Sequence, residues 1–164
     1  MKIVLIGFAS SGKSTVGAML AQQLNTHFYD SDLMVEQVAN MSVAQIFSQH
    51  GEEYFRNLEN EVLQRLSQVD NAVVALGGGS VLCKDFATLA RNSTVVWLQV
   101  SVASVADRLN GDLSRPLFDG LTEQALAKLM DKRVRYYKAA ANFAVTTDGQ
   151  TPAQVAQQVL SLLQ

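Results

Sequence analysis

The sequence predicts an α/β fold, in which helices cover both faces of a five-stranded parallel sheet in a three-layer α/β/α arrangement. Three observations support this fold class. Short apolar runs rich in Val, Ile and Leu recur along the chain, and segments with helical spacing of apolar residues lie between them. Such alternation is typical of a parallel sheet with helices on both faces. A glycine-rich motif of the phosphate-binding type also follows the first apolar run directly.

Five segments have the length and composition of buried strands. The first, third and fourth are almost continuously apolar, as is typical of strands that are covered on both faces. The strands are predicted at residues 2–6, 27–30, 72–76, 94–100 and 143–147.

Helical periodicity appears between the predicted strands. Val16, Met19, Leu20 and Leu24 share one face of a helix that follows the glycine-rich motif. Further helices are predicted around residues 35–38, 62–69, 126–137 and 155–163, the last with a proline in its first turn.

The glycine-rich motif begins at Gly7 and has the pattern Gly, four residues, Gly-Lys-Ser. Glycines let backbone N–H groups close around phosphate, and the helix that follows adds the positive end of its dipole. Lys13 can reach the outer phosphates, and the Ser14 hydroxyl can hold Mg2+. An ordinary turn with chance glycines is the alternative. We expect a nucleotide to contact Ser10, Ser11, Gly12, Lys13, Ser14 and Thr15.

Two carboxylates, Asp30 and Asp32, close the second predicted strand. Ligands of open parallel sheets bind beyond the carboxyl ends of the strands, so we expect these residues to lie near the phosphate loop. One carboxylate can hold Mg2+, directly or through water, and another can accept the proton of an attacking hydroxyl. The alternative role is capping of the next helix, which is compatible with catalysis.

Three consecutive glycines, Gly77, Gly78 and Gly79, follow the third predicted strand at the same edge of the sheet. A bare backbone can approach a ligand closely and bend sharply. A tight turn into the next helix would need only one or two glycines. The triplet therefore favours contact with a ligand.

Arg56, Arg115 and Arg133 are the candidate anion-binding side chains. Arginine holds carboxylate or phosphate through paired planar hydrogen bonds, although a single arginine is more often a solvated surface residue. Arg115 lies in the stretch 110–120, which is polar and bracketed by turn residues. We expect this stretch to be a flap that closes over substrate, with a plain connection between helices as the alternative.

The composition restricts the classes of function. The 164 residues are 48% apolar and 17% charged, which predicts one folded domain over residues 1–164. A net charge of −2 implies no general basic face for nucleic acid, and no apolar run is long enough for a membrane span. The one cysteine, Cys83, fits a reducing cytoplasm, and we expect it to pack as a small apolar side chain. Nothing in the sequence demands an oligomer, so we expect a monomer.

As a set, these motifs resemble those of the shikimate kinases, in the family's order and spacing over almost the whole chain. The resemblance implies a parallel sheet of the nucleoside monophosphate kinase type. It also implies transfer of the terminal phosphate of ATP to the 3-hydroxyl of shikimate, with Mg2+, in aromatic amino acid biosynthesis. The motifs are the phosphate loop at Gly7, Asp-x-Asp at 30–32, Phe-Arg-x-x-Glu at 55–59, Gly-Gly-Gly at 77–79, Arg-Pro-Leu at 115–117 and Arg-x-x-x-Tyr at 133–137.

The resemblance implies a role for each candidate residue on the acceptor side. Asp32 would hold the shikimate hydroxyls and act as the base. Arg56 and Arg133 would bind the shikimate carboxylate, and Gly78 would contribute a backbone contact.

On the nucleotide side, the resemblance implies that Ser14 ligates Mg2+ and that Asp30 assists through water. Arg115 would stabilise the transferring phosphate after the flap closes. Arg108 and Gln150 would contact adenine.

The chain departs from the family pattern at three positions. Ser10 replaces a usual glycine of the phosphate loop, Thr146 replaces a usual aspartate near the adenine contacts, and Arg135 replaces a usual proline. A strongly positive φ at Ser10 would introduce strain. Two other functions stay open from the sequence. They are a kinase for another small hydroxy acid such as gluconate, and a nucleotide-binding switch or scaffold without transferase activity.

Overall fold

Five parallel strands form the sheet of this protein, for which a computed structural model describes residues 1–109, 118 and 120–163. All five lie where the sequence predicts strands, although the third, fourth and fifth end one residue earlier than predicted. The strands are β1 (Lys2–Ile6), β2 (His27–Asp30), β3 (Ala72–Ala75), β4 (Thr94–Gln99) and β5 (Phe143–Thr146).

Helices fill the connections between the strands. They are α1 (Lys13–Gln23), α2 (Ser31–Ala39), α3 (Val43–Ser67), α4 (Phe86–Arg91), α5 (Val102–Leu109), α6 (Glu123–Ala140) and α7 (Pro152–Leu162). A short 3-10 turn, Ser80–Leu82, follows the glycine triplet.

The strand order is β2-β3-β1-β4-β5, and every neighbouring pair is parallel. The central strand β1 is buried along its whole length, and Val4 lies in register between Val74 on β3 and Val95 on β4. The chain leaves β1 toward β2 on one side of the sheet and later reaches β4 on the other side. This change of direction opens a crevice at the carboxyl ends of the central strands, which is where ligands bind in such sheets.

The side chains of β1 alternate between two apolar clusters, one on each face of the sheet. Ile3 and Leu5 pack into the cluster that includes α1 and α7. Val4 and Ile6 pack into the cluster that includes parts of α2, α3, α4, α5 and α6. Helices therefore cover both faces, and the predicted three-layer α/β/α class is confirmed.

Helix α3 is the element that the sequence predicted least completely. It runs for 25 residues, whereas periodicity indicated only its last part. Its first turn is held by a capping box, in which Ser42 accepts from the backbone of Gln45 and the Gln45 side chain accepts in return. Gly51, with φ of 83°, bends the helix into two segments, of which the second carries Arg56. None of the helices within the described ranges combines the length and the apolar character needed to cross a membrane.

Candidate active site

Two cavities open at the carboxyl ends of β1, β2 and β3. The loop cavity has a volume of about 270 Å3 and is lined by the phosphate loop and by Arg108. The large cavity has a volume of about 370 Å3 and is lined by residues of α2, α3 and α6. The cavities share Ser14, Asp30, Asp32, Gly77 and Gly78 as lining residues. A group bound in one cavity can therefore meet a group bound in the other.

The phosphate loop depends on two glycines in conformations that other residues rarely adopt. Gly7 has φ of 147°, and a Cβ atom at this position would lie 2.5 Å from the carbonyl oxygen of Leu98. Gly12 has φ of 91° and precedes the first residue of α1. Lys13 follows, and its Nζ donates to the carbonyl oxygens of Gly7 at 2.9 Å and Phe8 at 2.7 Å. The Lys13 ammonium thus lies against the phosphate loop, where it could bind the phosphates of a nucleotide.

Ser10 adopts a left-handed conformation with φ of 58°, at the position where the family usually has glycine. This conformation costs an L-residue about 1–2 kcal/mol. Nη1 of Arg108 donates to the carbonyl oxygen of Ser10 at 2.7 Å, which fixes the strained peptide from outside the loop. Ser10 therefore has the positive φ at which we predicted strain, and Arg108 contacts its carbonyl oxygen.

Asp30 joins the phosphate loop to α2. Its Oδ2 accepts from the hydroxyl of Ser14 at 2.5 Å. Its Oδ1 accepts from the backbone N–H groups of Asp32 at 3.0 Å and Leu33 at 3.3 Å, so Asp30 also caps α2. The Asp30 side chain thus caps α2 and also lines both cavities.

Two glycines of the triplet have no room for a side chain, because side chains of candidate site residues lie beside them. A Cβ atom on Gly77 would lie 2.7 Å from Oδ1 of Asp32, and one on Gly79 would lie 2.7 Å from Nη1 of Arg56. Both distances are shorter than real Cβ atoms tolerate, so a larger residue would displace the carboxylate or the guanidinium.

Gly78, the middle glycine, lies between the phosphate loop and α6. A Cβ atom there would lie 3.3 Å from the backbone nitrogen of Ala9 and 3.4 Å from Nη1 of Arg133. The carbonyl oxygen of Gly78 accepts from the hydroxyl of Tyr137 at 2.5 Å. Burial raises the pKa of Tyr137 to about 12, although the charge and hydrogen bond of Arg133 oppose this rise. The hydroxyl is therefore a donor at neutral pH.

Arg56 is held by a buried carboxylate that the sequence analysis did not assign to the site. Nη1 of Arg56 donates to Oε2 of Glu59 at 2.6 Å, and Glu59 is only 1% exposed. Ser80 donates to the same carboxylate at 2.6 Å, and the thiol of Cys83 donates to it at 3.1 Å. Burial, and then the charge of Glu59, raise the pKa of Cys83 to about 12. Cys83 therefore packs against the core as expected, but it is also a hydrogen-bond donor.

Arg133 is buried in the wall of the large cavity, with 7% of its surface exposed. Its guanidinium carbon lies 5.5 Å from the centre of the Phe8 ring, a cation–π distance. Its Nε is buried and has no hydrogen-bond partner. A buried donor without a partner is uncommon in proteins, so Arg133 keeps hydrogen-bonding capacity that its protein surroundings do not use.

Other predicted site residues have different surroundings. Thr15 lines the loop cavity, whereas Ser11 is buried beside it and accepts from Lys13 at 3.3 Å. Gln150 lines neither cavity, and its amide donates to the carbonyl of Thr146 at 2.6 Å and accepts from Gln158 at 2.8 Å. Its contact with adenine stays a prediction.

Arg115 and most of the predicted flap at 110–120 lie outside the described residues. Phe118 is described, and it lines the large cavity with its ring centre 5.4 Å from that of Phe8. The role of Arg115 stays a prediction.

Sequence reasoning missed the site roles of Glu59 and Tyr137, although both lie in the quoted motifs. Each follows an arginine at helical spacing, Glu59 three residues after Arg56 and Tyr137 four residues after Arg133. Residues at these separations meet on a helix, and this signal could have found both. The apolar wall of the large cavity has no such signal, and it includes Leu33, Val43, Phe47, Phe55 and Phe118.

The chain is similar to known proteins over almost its whole length. The family model for shikimate kinase matches residues 9–164. A shikimate kinase of Moorella thermoacetica is 43% identical over 162 residues, which make up 98% of this chain and 93% of that protein. A shikimate kinase of Rhodococcus jostii is 39% identical over 163 residues, or 99% of this chain and 97% of that protein.

Solved structures give the same result. The shikimate kinase from Acinetobacter baumannii in complex with shikimate superposes with a TM-score of 0.94 at 32% identity, covering 99% of this chain and 92% of that chain. The shikimate kinase from Aquifex aeolicus superposes with a TM-score of 0.87 at 35% identity, covering 99% of this chain and 96% of that chain. The structural similarity thus extends over almost the whole chain.

Proposed function

The chain belongs to the shikimate kinase family, and from that premise we propose that it transfers the terminal phosphate of ATP to the 3-hydroxyl of shikimate. The main support for the proposal is that the two cavities join and share lining residues. A phosphate loop lines one cavity, two arginines line the other, and Asp32 lines both. A nucleotide tail and a small acid can therefore meet beside one carboxylate.

The large cavity has the chemistry that a small hydroxylated acid requires. Arg56 and Arg133 offer two guanidinium groups, which suit a carboxylate. The apolar side chains of the cavity wall would contact the carbon ring. These features support an acidic carbocycle as the acceptor.

We assign the proton transfer to Asp32. As the acceptor hydroxyl attacks the terminal phosphorus of ATP, its proton moves to the Asp32 carboxylate and ADP leaves. Lys13 would exchange its contacts with the carbonyls of Gly7 and Phe8 for phosphate oxygens, where it stabilises the transferring charge.

The residues at the junction fit a magnesium ion. Ser14 Oγ and Asp30 Oδ2 lie 2.5 Å apart, and both are the hard oxygen ligands that Mg2+ prefers. Among the described residues no cluster of three or more His, Cys, Asp or Glu could hold a metal. Mg2+ usually binds through one or two carboxylates together with waters and substrate phosphates. When bound, Mg2+ would neutralise charge on the nucleotide phosphates.

The direct test is to compare acceptors. The purified chain is incubated with ATP, Mg2+ and either shikimate, gluconate or no acceptor, and 31P NMR locates the new phosphate ester. We expect a 3-phosphate ester of shikimate and little product from gluconate. Equal or greater turnover of gluconate would reject the proposed acceptor. Tight nucleotide binding without any phosphorylated acid would instead indicate a switch or scaffold.

A matched pair of variants tests the assignment of the base. Asp32→Asn keeps the shape of the side chain but removes the carboxylate, so kcat should fall by about 10²–10⁴-fold. Asp131→Asn makes the same change on the exposed surface of α6 and should leave kcat unchanged. Full activity of Asp32→Asn would exclude Asp32 as the base.

We also propose that the protein works as a monomer in a reducing cytoplasm. The lone cysteine supports this setting, because Cys83 is a hydrogen-bonded thiol and not half of an internal disulfide. Sedimentation velocity with and without both substrates would test the oligomeric state, and a stable dimer would contradict it.

A further inference from the structure

Tyr137 is a buried tyrosine whose hydroxyl reaches the active site although its ring belongs to the core. The residue is 1% exposed, and its ring centre lies 5.9 Å from that of Trp97 on β4. The hydroxyl donates to the carbonyl oxygen of Gly78, a lining residue of both cavities. A ring that only filled the core would not need this hydroxyl.

The same hydroxyl also interacts with Arg133, one helical turn earlier on α6. The charge and the hydrogen bond of Arg133 favour the ionised form of Tyr137, but burial outweighs them and raises the pKa to about 12. The hydroxyl therefore stays protonated through the neutral range. It donates to Gly78, while the charge of the Arg133 guanidinium acts on its oxygen.

Gly78 is in a place where a small shift would affect both substrates. The position of its missing Cβ is 3.4 Å from the carbonyl oxygen of Gly7 and 3.4 Å from Nη1 of Arg133. Backbone on one side belongs to the phosphate loop, and the guanidinium on the other side faces the large cavity. A peptide between two such neighbours needs an anchor, and within the described residues the hydroxyl of Tyr137 is the side-chain donor to its carbonyl.

We propose that Tyr137 is a positioning residue for the acceptor, because its hydroxyl holds Arg133 and the Gly78 peptide in the geometry that receives the acceptor carboxylate and ring. The inference deepens the proposed function and rests on it. Tyr137 touches neither reacting atom, so it acts through Arg133 and Gly78. Loss of the hydroxyl should therefore weaken the use of shikimate more than the use of ATP.

The test is Tyr137→Phe, which removes the hydroxyl and keeps the ring in the core. We expect the KM for shikimate to rise about tenfold, while the KM for ATP stays within about twofold. Tyr136→Phe is the matched control, since Tyr136 is the exposed neighbour whose hydroxyl accepts from Arg135. The control should leave both KM values unchanged. An unchanged KM for shikimate in Tyr137→Phe would overturn the proposal, and so would an equal rise for both substrates.

A double-mutant cycle separates positioning from general loss of structure. If Tyr137 acts mainly through Arg133, Tyr137→Phe should change the KM for shikimate by no more than about twofold in the Arg133→Ala background. A further tenfold rise in that background would show that the hydroxyl acts independently of Arg133, and it would overturn the positioning of Arg133 by Tyr137. Thermal unfolding of each variant provides the folding control. A lowered Tm with an unchanged KM for shikimate would indicate a role in packing alone.

A second measurement does not depend on turnover. The buried Nε–H of Arg133 should give a slowly exchanging signal in 15N–1H NMR, assigned by its loss in Arg133→Lys. We expect Tyr137→Phe to shift or broaden this signal, and an unchanged signal would overturn the inference. If the wild-type chain failed to phosphorylate shikimate, the proposed function would fail, while the NMR result would still decide whether Tyr137 positions Arg133.

Discussion

The two cavities of this protein are built in different ways. The loop cavity takes nearly half of its lining residues from one continuous segment, residues 10–15, and glycines at unusual φ values give the phosphate loop its shape. The large cavity is assembled from side chains of α2, α3 and α6, which are far apart in sequence. Its arginines are fixed by burial and by partners such as Glu59. The cavity proposed for phosphate thus depends largely on local backbone geometry, whereas the cavity proposed for the acid acceptor depends on tertiary packing.

Because of this difference, we expect the kinetic effect of a substitution to depend on which cavity the residue lines. Changes in the loop cavity should act on nucleotide use and on the chemical step. Changes in the large cavity should act on the KM for the acceptor. A variant in one cavity that changed the use of the other substrate would show that the two binding sites are energetically coupled.

The largest effect is expected for Lys13→Ala, in the loop cavity. Removal of the ammonium takes away charge stabilisation of the transferring phosphate, so kcat should fall by about 10³-fold or more. Steady-state kinetics with saturating shikimate measures this, and calorimetry should show that shikimate still binds. Retention of more than a tenth of wild-type kcat would contradict the assigned role of Lys13.

Arg133→Ala should have the next largest effect, in the large cavity. The acceptor carboxylate would lose a charged hydrogen-bond partner that contributes about 1.5–3 kcal/mol, so the KM for shikimate should rise about 10- to 150-fold. Arg135→Ala, on the exposed side of the same helix, is the matched control and should change little. ATP binding should survive in both variants. Its collapse in Arg133→Ala would show that Arg133 serves the nucleotide instead.

Gly79→Ala should give a smaller effect, and it tests the packing of the glycine triplet. Gly79 has φ of −95°, so alanine fits the backbone, but the new Cβ would lie 2.7 Å from Nη1 of Arg56. The guanidinium is the far end of a flexible side chain and can move away at little cost in stability. We expect the KM for shikimate to rise about 5- to 10-fold, through partial loss of one charged hydrogen bond, with Tm almost unchanged. A large drop in Tm with normal KM would contradict this explanation.

Asp148→Asn should have the smallest effect, on stability after β5, where the carboxylate accepts from the backbone of Ser101. Hydrogen bonds from Ser104 and Ser101 lower the pKa of Asp148 below its ordinary value of 3.8. A lowered folded-state pKa means that the carboxylate stabilises the protein above pH 3.8 and loses this contribution as the pH falls through the lower, folded-state pKa. The wild-type Tm should thus slightly exceed that of the variant at pH 7, and the two should converge at strongly acidic pH. A difference that persisted there would exclude the linkage.

Sequence patterns predicted the sheet well because buried parallel strands have a simple composition. The residues of β1 are apolar throughout, and its start and end were predicted correctly. The length of α3 was missed for a physical reason. This helix bends at Gly51 and exposes much of its first segment, so a single apolar periodicity does not extend along it.

Within the active site, the sequence identified the residues that the fold brings together but not what holds them. Asp32, Arg56 and Arg133 do line the large cavity, beside the loop that contains Lys13. The supporting carboxylate of Glu59 was missed, since a glutamate on a helix is usually a surface residue. Its burial appears only after α3 packs against the turn that carries Ser80.

The sequence by itself determined the fold class and the phosphate loop, because apolar runs and glycine spacing act on neighbouring residues. Only the tertiary structure decided that the side chains of Asp32 and Arg56 fill the space beside Gly77 and Gly79. It also decided that a tyrosine hydroxyl from α6 donates to the carbonyl oxygen of Gly78. These contacts join residues separated by tens of positions along the chain. Their geometry depends on how the helices pack on the sheet, and no local pattern specifies it.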